Sequence, residues 1–175
     1  MSAAGFRPAG LLRLTAAAAA LLLASCGFHL RGEAKLPFDT MYVSGSPAFA
    51  TQIARAVRAG SNTRIVSDPK DAEVTLQILN ERRDRVILSI SGTGRVSELQ
   101  LRYLVSFRLT DRENREYLPP TEVQLKRDLT YSDSDVLGKE QEESLLFRDM
   151  QSDAVQQVVR RLQVARLEPA AKPDK

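Results

Sequence analysis

The chain has 175 residues, of which 43% are hydrophobic and 27% are charged, and it contains one cysteine. Two of its 25 basic residues and none of its 22 acidic residues lie in positions 1–25, so the rest of the chain carries almost no net charge. This balance excludes the basic footprint of a nucleic-acid-binding protein. A single cysteine excludes a disulfide framework within the chain.

Residues 1–25 have the pattern of a lipoprotein signal peptide. Two arginines precede the apolar run Leu14–Leu23, which is too short to cross a bilayer because a spanning helix needs about 20 residues. The run ends in small residues directly before Cys26. This arrangement predicts cleavage before Cys26 and attachment of lipid to its thiol. The alternative is an ordinary signal peptide followed by an incidental cysteine.

The next segment predicts a tether, a strand and a helix. Residues 26–38 show no sustained periodicity and read as a tether, and Thr40–Ser44 predicts a first strand. Ser46-Pro47 is a typical helix start, and Gly60 suits the C-terminal cap. Apolar residues recur every four positions between these ends and predict an amphipathic helix: Phe49, Ile53 and Val57.

A long strand follows. Arg64–Val66 predicts a brief edge strand, and the pattern then changes to period two. Apolar residues occupy even positions at both ends of the segment 73–90: Val74, Leu76, Ile78, Val86, Leu88 and Ile90. We therefore expect one bent strand that keeps the same face throughout, with Asn80–Arg85 overhanging the core or holding a bulge. Ser91–Gly94 predicts a hairpin turn.

The following alternation, from Leu99 to Leu109, is the clearest strand and is typical of a sheet covered on one face. Asp111–Glu116 predicts a charged turn, and Pro119-Pro120 is expected to prevent pairing until a last strand over Val123–Tyr131. Arg127 lies on the apolar face of that strand. We expect it to pair with a carboxylate at the sheet margin, with ligand binding as the alternative.

The C-terminal pattern predicts a helix from about Leu137 to Val164, because apolar residues repeat every four positions. Residues 167–175 predict a disordered tail. The expected fold is α+β, with two helices packed on one face of a four- to five-stranded, mainly antiparallel sheet. The domain is expected to span residues 39–166.

Catalytic and metal-binding motifs are missing from the sequence. His29 is the only histidine and lies beside Cys26, so His/Cys metal clusters and Cys–His nucleophiles are excluded. No phosphate-binding loop occurs. Glu140, Glu142 and Glu143 fall on predicted solvated faces. We therefore expect no enzyme, no metal and no cofactor.

The segment Cys26-Gly27-Phe28-His29-Leu30-Arg31-Gly32 resembles the mature N-terminus of the LptE family of lipopolysaccharide-assembly lipoproteins. Further matching segments come in the order of that family: Ala54–Arg58, Glu98–Leu101, Leu137–Glu140, Asp149-Met150 and Arg160–Leu162. The resemblance implies two helices on a four-stranded sheet. It also implies a plug inside the outer-membrane β-barrel LptD that assists barrel assembly and lipopolysaccharide transport. Gly27, in place of Asp, implies sorting to the outer membrane.

The resemblance also implies lipopolysaccharide-binding residues. The family uses a lysine just before its last helix, which Lys139 matches, and a basic residue near the tip of the central hairpin. Gly92 occupies that second position, so Arg95 across the turn is the candidate substitute. The alternative function is a generic periplasm-facing outer-membrane lipoprotein that binds a small ligand or acts as a carboxylate hydrolase. That alternative requires an enclosed apolar pocket or two carboxylates converging in a cleft.

Overall fold

The computed structural model describes residues 35–131 and 135–165. The predictions for the signal segment, Cys26, His29, the first part of the tether and the tail 167–175 lie outside these residues.

The described chain forms five strands and two α-helices, which confirms the expected α+β class. The strands are β1 (Thr40–Ser44), β2 (Arg64–Ile65), β3 (Val74–Ile90), β4 (Val96–Asp111) and β5 (Glu116–Thr130), and the helices are α1 (Pro47–Gly60) and α2 (Val136–Gln163). The sheet order is β2-β1-β3-β4-β5. β1 runs parallel to β2 and β3, whereas β3, β4 and β5 form a long antiparallel meander.

The core lies between the two helices and one face of the sheet, which we call the helix face. Odd-numbered residues of β4 from Leu99 to Leu109 are buried on it. The apolar spacing predicted in each helix is confirmed, because its residues fill this core: Phe49, Ile53, Val57, Met150, Ala154, Val158 and Leu162. Phe38, assigned by sequence to the tether, is also buried, and its carbonyl accepts a hydrogen bond from Thr63.

β3 is one continuous strand, as predicted, but it does not keep one face. Ile78 pairs with Phe107 and Asn80 with Ser106, so a β-bulge at Leu79 shifts the register by one residue. Since side chains alternate along a strand, one extra residue exchanges the two faces. Val86 therefore lies opposite Gln100, away from the helices, and Ile87 lies opposite Leu99. The expectation that even positions stay on one face was wrong.

β5 begins earlier than predicted. It pairs with β4 from Glu116 onward, and Pro119-Pro120 lies within it. Phe107 pairs with Thr121 and Leu109 with Leu118, so the two prolines oppose the single residue between them. Proline is tolerated in a sheet on an edge strand or at a bulge. β5 is an edge strand, and the two prolines lie at its bulge.

The caps of α1 also differ from expectation. The helix follows Ser46, but the Ser46 hydroxyl donates to Glu81 of β3 and makes no cap hydrogen bond. Gly60 is the last helical residue, and Ser61 is the cap, with its N–H donating to the carbonyl of Val57 at 2.9 Å. A tertiary contact thus replaces the local cap.

Candidate functional site at the hairpin end

The β3–β4 turn marks one end of the sheet, which we call the hairpin end. The Ser91 N–H donates to the Arg95 carbonyl at 2.7 Å, and the Gly94 N–H donates to the Ser91 carbonyl at 2.9 Å. Gly94 has a φ of +78°, a conformation that favours glycine. The Arg95 side chain is exposed beside this turn.

Lys139 lies in the first turn of α2. Asp135 caps this helix, because its Oδ1 accepts the Gly138 N–H at 3.2 Å. Lys139 Nζ is 2.8 Å from Glu142 Oε2, and the lysine side chain is 20% exposed. The ammonium group is therefore only partly exposed and has a carboxylate partner within the helix.

Arg95 and Lys139 lie at the same end of the sheet. The Tyr131 N–H donates to the Ser97 carbonyl at 3.0 Å, which places the end of β5 beside the start of β4. One turn beyond Lys139, Glu143 accepts a hydrogen bond from Arg85 Nε at 2.7 Å. These two contacts place the start of α2 beside the β3–β4 ladder, at the end of the sheet that carries the hairpin.

A polar cleft separates β3 from the start of α2. It has a volume of about 430 Å³ and is lined by Arg83, Arg85, Glu140, Glu143, Ser144 and Phe147. Glu143 is only 8% exposed, so its assignment to a solvated face was wrong. The bulge at Leu79 turns Arg85 toward α2, and Glu143 is buried against that arginine.

The same cleft bears on the hydrolase hypothesis, because two carboxylates line it. Glu143 is ion-paired with Arg85 at 2.7 Å, and Arg83 lines the cleft as well. The cleft thus holds two guanidinium groups beside its two carboxylates, and Glu143 is committed to an ion pair.

Beside the polar cleft lies an apolar groove of about 490 Å³, lined by Arg85, Ile87, Val96, Leu99 and Tyr131. Ile87 and Ile90 are 53% and 60% exposed, and Leu137 at the start of α2 is 69% exposed. The hairpin end therefore combines basic groups with accessible apolar surface. The sequence did not reveal Arg83, Arg85 or Ile87 as site residues, since no local signal marks the bulge that orients them.

A buried polar network lies between the two helices, deeper than the cleft. Tyr103 donates to Glu81 Oε1 at 2.6 Å, and Gln151 Nε2 donates to the same atom at 3.3 Å. The Arg83 guanidinium lies 5.8 Å from the Tyr103 ring centroid and 5.6 Å from that of Phe147. Burial, followed by the Glu81 hydrogen bond and charge, raises the pKa of Tyr103 well above its ordinary value.

The sheet face opposite the helices, which we call the open face, is a lattice of paired polar side chains. Gln100 Nε2 donates to Asp128 at 3.1 Å, Arg102 Nε to Gln100 at 2.9 Å, and Arg108 Nε to Gln77 at 2.7 Å. This polar face agrees with the prediction that helices cover the sheet on one face only. The predicted pairing of Arg127 is also confirmed, because it meets Asp153 of α2 at 2.8 Å on the helix face.

Within residues 35–131 and 135–165, no group of three His, Cys, Asp or Glu side chains could hold a metal ion. No helix in those ranges is long and apolar enough to cross a membrane.

The family model described as lipopolysaccharide-assembly, LptE, matches residues 38–162. The chain belongs to the LptE family. The LPS-assembly lipoprotein LptE of Yersinia enterocolitica is 30% identical over 160 residues, covering 88% of this chain and 76% of that protein. The protein of the same name from Pectobacterium atrosepticum is 28% identical over 158 residues, covering 87% and 84%.

Solved structures of lipoproteins share the fold. Lipoprotein B of Nitrosomonas europaea, solved by NMR, is 36% identical with a TM-score of 0.68, and the match covers 78% of this chain and 90% of that one. The minor lipoprotein of Acinetobacter baumannii is 25% identical with a TM-score of 0.63, covering 78% and 99%. Membership of the family thus rests on both sequence and architecture.

Proposed function

We propose that this chain is an outer-membrane lipoprotein of lipopolysaccharide assembly that plugs the LptD β-barrel and carries out no catalysis. The observation that carries the proposal is the family match over residues 38–162, which includes both helices up to Leu162 and the whole sheet. The Yersinia and Pectobacterium relatives are named for lipopolysaccharide assembly.

The open face supports the plug role. Its arginine, glutamine and aspartate side chains pair with one another, so the face is polar without a strong charge of either sign. The lumen of a large outer-membrane barrel is polar. A sheet face of this kind can lie against such a wall and exchange water for hydrogen bonds, whereas an apolar face would require an apolar partner.

The hairpin end supports contact with lipopolysaccharide. Lipid A carries phosphates and acyl chains, and phosphates accept charge-assisted hydrogen bonds from arginine and lysine. Arg95 and Lys139 supply the cations, and the apolar groove beside them can accommodate hydrocarbon. Cys26 completes the proposal: acylation there would anchor the domain to the outer membrane by its N-terminal lipid.

The deciding experiment is co-purification of the full-length lipoprotein from outer membranes in mild detergent. The expected result is recovery of a large β-barrel with the tagged chain and loss of the assembled barrel when the chain is depleted. A Cys26→Ala variant, expressed at the same level, separates anchoring from binding. Purification of the lipoprotein alone, with an intact barrel in its absence, would contradict the proposal.

A further inference from the structure

The two edges of the sheet differ greatly in length. β2 forms one edge with two residues, whereas β5 forms the other with fifteen. A long edge strand presents a row of unpaired N–H and C=O groups to which another strand can add. β5 is therefore the place where this fold is most open to unwanted strand pairing.

The direction of each backbone group in β5 follows from one hydrogen bond. The Tyr131 N–H donates to the carbonyl of its register partner, Ser97, at 3.0 Å. Directly opposed hydrogen-bonded pairs alternate along an antiparallel ladder. Odd-numbered residues from Thr121 to Tyr131 thus bond to β4, and the even-numbered residues between them point their N–H and C=O groups outward.

Two of these outward carbonyls are bonded to arginine side chains. Arg161 Nη1 donates to the Glu122 carbonyl at 2.8 Å, and Arg127 Nη1 donates to the Lys126 carbonyl at 3.0 Å. Each guanidinium group also makes a second contact. Arg161 lies 5.9 Å from the Phe107 ring centroid, and Arg127 is 2.8 Å from Asp153 of α2.

Pro119 and Pro120 extend this protection toward the start of the strand, because neither has an N–H to donate to an added strand. The bulge at the same place disturbs the ladder that a neighbour would have to follow. From Pro119 to Arg127 the outward row of donors and acceptors is therefore interrupted, and Gln124 lies between the two arginine-bonded carbonyls.

We propose that Arg127 and Arg161 guard the outer edge of β5 and prevent a second copy of this chain from adding to the sheet there. The two arginines occupy outward carbonyls four residues apart, so an incoming strand would have to displace both. This inference depends on the contacts at the edge and not on the proposed function.

The test is self-association of the full chain, purified in mild detergent, with Arg127→Met and Arg161→Met combined. Sedimentation over a range of concentrations should show the dissociation constant for self-association falling by at least roughly tenfold. Arg55→Met with Arg58→Met on α1 is the matched control, since it removes two exposed arginines and the same charge. The control should sediment like the unaltered chain.

A rescue variant identifies the surface responsible. Gln124 points its N–H outward, so Gln124→Pro removes an edge donor without breaking the β4 ladder. Added to the double variant, it should restore the original dissociation constant. A double variant that remains monomeric, a control that associates equally, or association that persists with proline at position 124 would each overturn the proposal. Circular dichroism melts verify folding, and Arg161→Met alone serves if the double variant does not melt cooperatively.

Discussion

The Tyr103 hydroxyl and the Glu81 carboxylate are joined by a 2.6 Å hydrogen bond on the helix face. Glu81 reaches this position because the bulge at Leu79 turns the following residues of β3 toward the helices. The same carboxylate accepts hydrogen bonds from Ser46 before α1 and from Gln151 of α2. One side chain thus links Ser46, directly before α1, and Gln151 of α2 to β3 and β4.

Replacing Tyr103 with Phe should destabilise the domain by about 1.5–3 kcal/mol, the usual loss for a hydrogen bond to a charged group. The ring stays packed, because Tyr103 is fully buried and phenylalanine keeps the same shape. Urea unfolding at pH 7 measures the change. Tyr42→Phe on the open face is the control and should stay within about 0.5 kcal/mol. Equal effects of the two variants would contradict a special role for the Tyr103 hydroxyl.

The raised pKa of Tyr103 predicts a loss of stability in alkaline solution. Unfolded tyrosine ionises near its ordinary pKa of 10.0, whereas folded Tyr103 stays neutral because burial and Glu81 oppose its negative charge. The unfolding free energy should therefore not be affected by this ionisation below pH 10. Above pH 10 it should fall by up to about 1.4 kcal/mol per pH unit. Urea unfolding at pH 9 and pH 11 should show the gap between the unaltered chain and Tyr103→Phe narrowing. A gap that stays constant would count against this ionisation.

Asp111 predicts the opposite dependence, in acid. Burial alone would raise the pKa of Asp111, but hydrogen bonds from Arg115 and from the Glu113 N–H lower it below 3.8 overall. The unfolded chain then takes up the proton first, so the stabilisation exists above pH 3.8 and is lost as pH falls. Asp111→Asn should lower the melting temperature at pH 7, and the difference should shrink below pH 3.8. Asp128→Asn on the open face serves as the control with little effect.

Gly45→Ala should destabilise the domain through backbone strain. Gly45 has a φ of +106°, and an added Cβ would lie 2.3 Å from the Ile78 carbonyl oxygen. Backbone strain of this kind costs on the order of 1–3 kcal/mol, and the steric clash with Ile78 adds to that cost. Gly92→Ala is the matched control, because an added Cβ there meets nothing within 4 Å. Urea unfolding of both variants tests the prediction, and similar midpoints would show that β1 and β3 can separate without cost.

Lys139→Glu should weaken lipopolysaccharide binding while leaving stability nearly unchanged. The ion pair with Glu142 is on the surface, where such pairs contribute about 0–1 kcal/mol. Binding to purified lipopolysaccharide and thermal unfolding are measured together. Lys126→Glu makes the same charge change on the open face and should bind like the unaltered chain. A large drop in melting temperature for Lys139→Glu would instead indicate that the lysine is structural.

Much of the fold was predictable from local patterns. The β4 alternation and the four-residue repeats of both helices place the core residues correctly, because burial on one face leaves a periodic apolar signal. Arg127 was also predictable: a charge on an apolar face requires a partner, and Asp153 supplies it. Arg95 and Lys139 remain predictions, since they came from resemblance alone.

Only the tertiary structure determined which face each half of β3 presents. An inserted residue leaves the composition and alternation of the flanking segments intact, so Val86 and Leu88 still looked like partners of Val74 and Leu76. The pairing with β4 fixes the bulge at Leu79. That bulge brings Glu81 to the core, Arg83 and Arg85 to the polar cleft, and the exposed Arg85 into an ion pair with the buried Glu143. The sequence by itself specified the periodic elements and the family, while the site geometry depends on strand register, which no local pattern records.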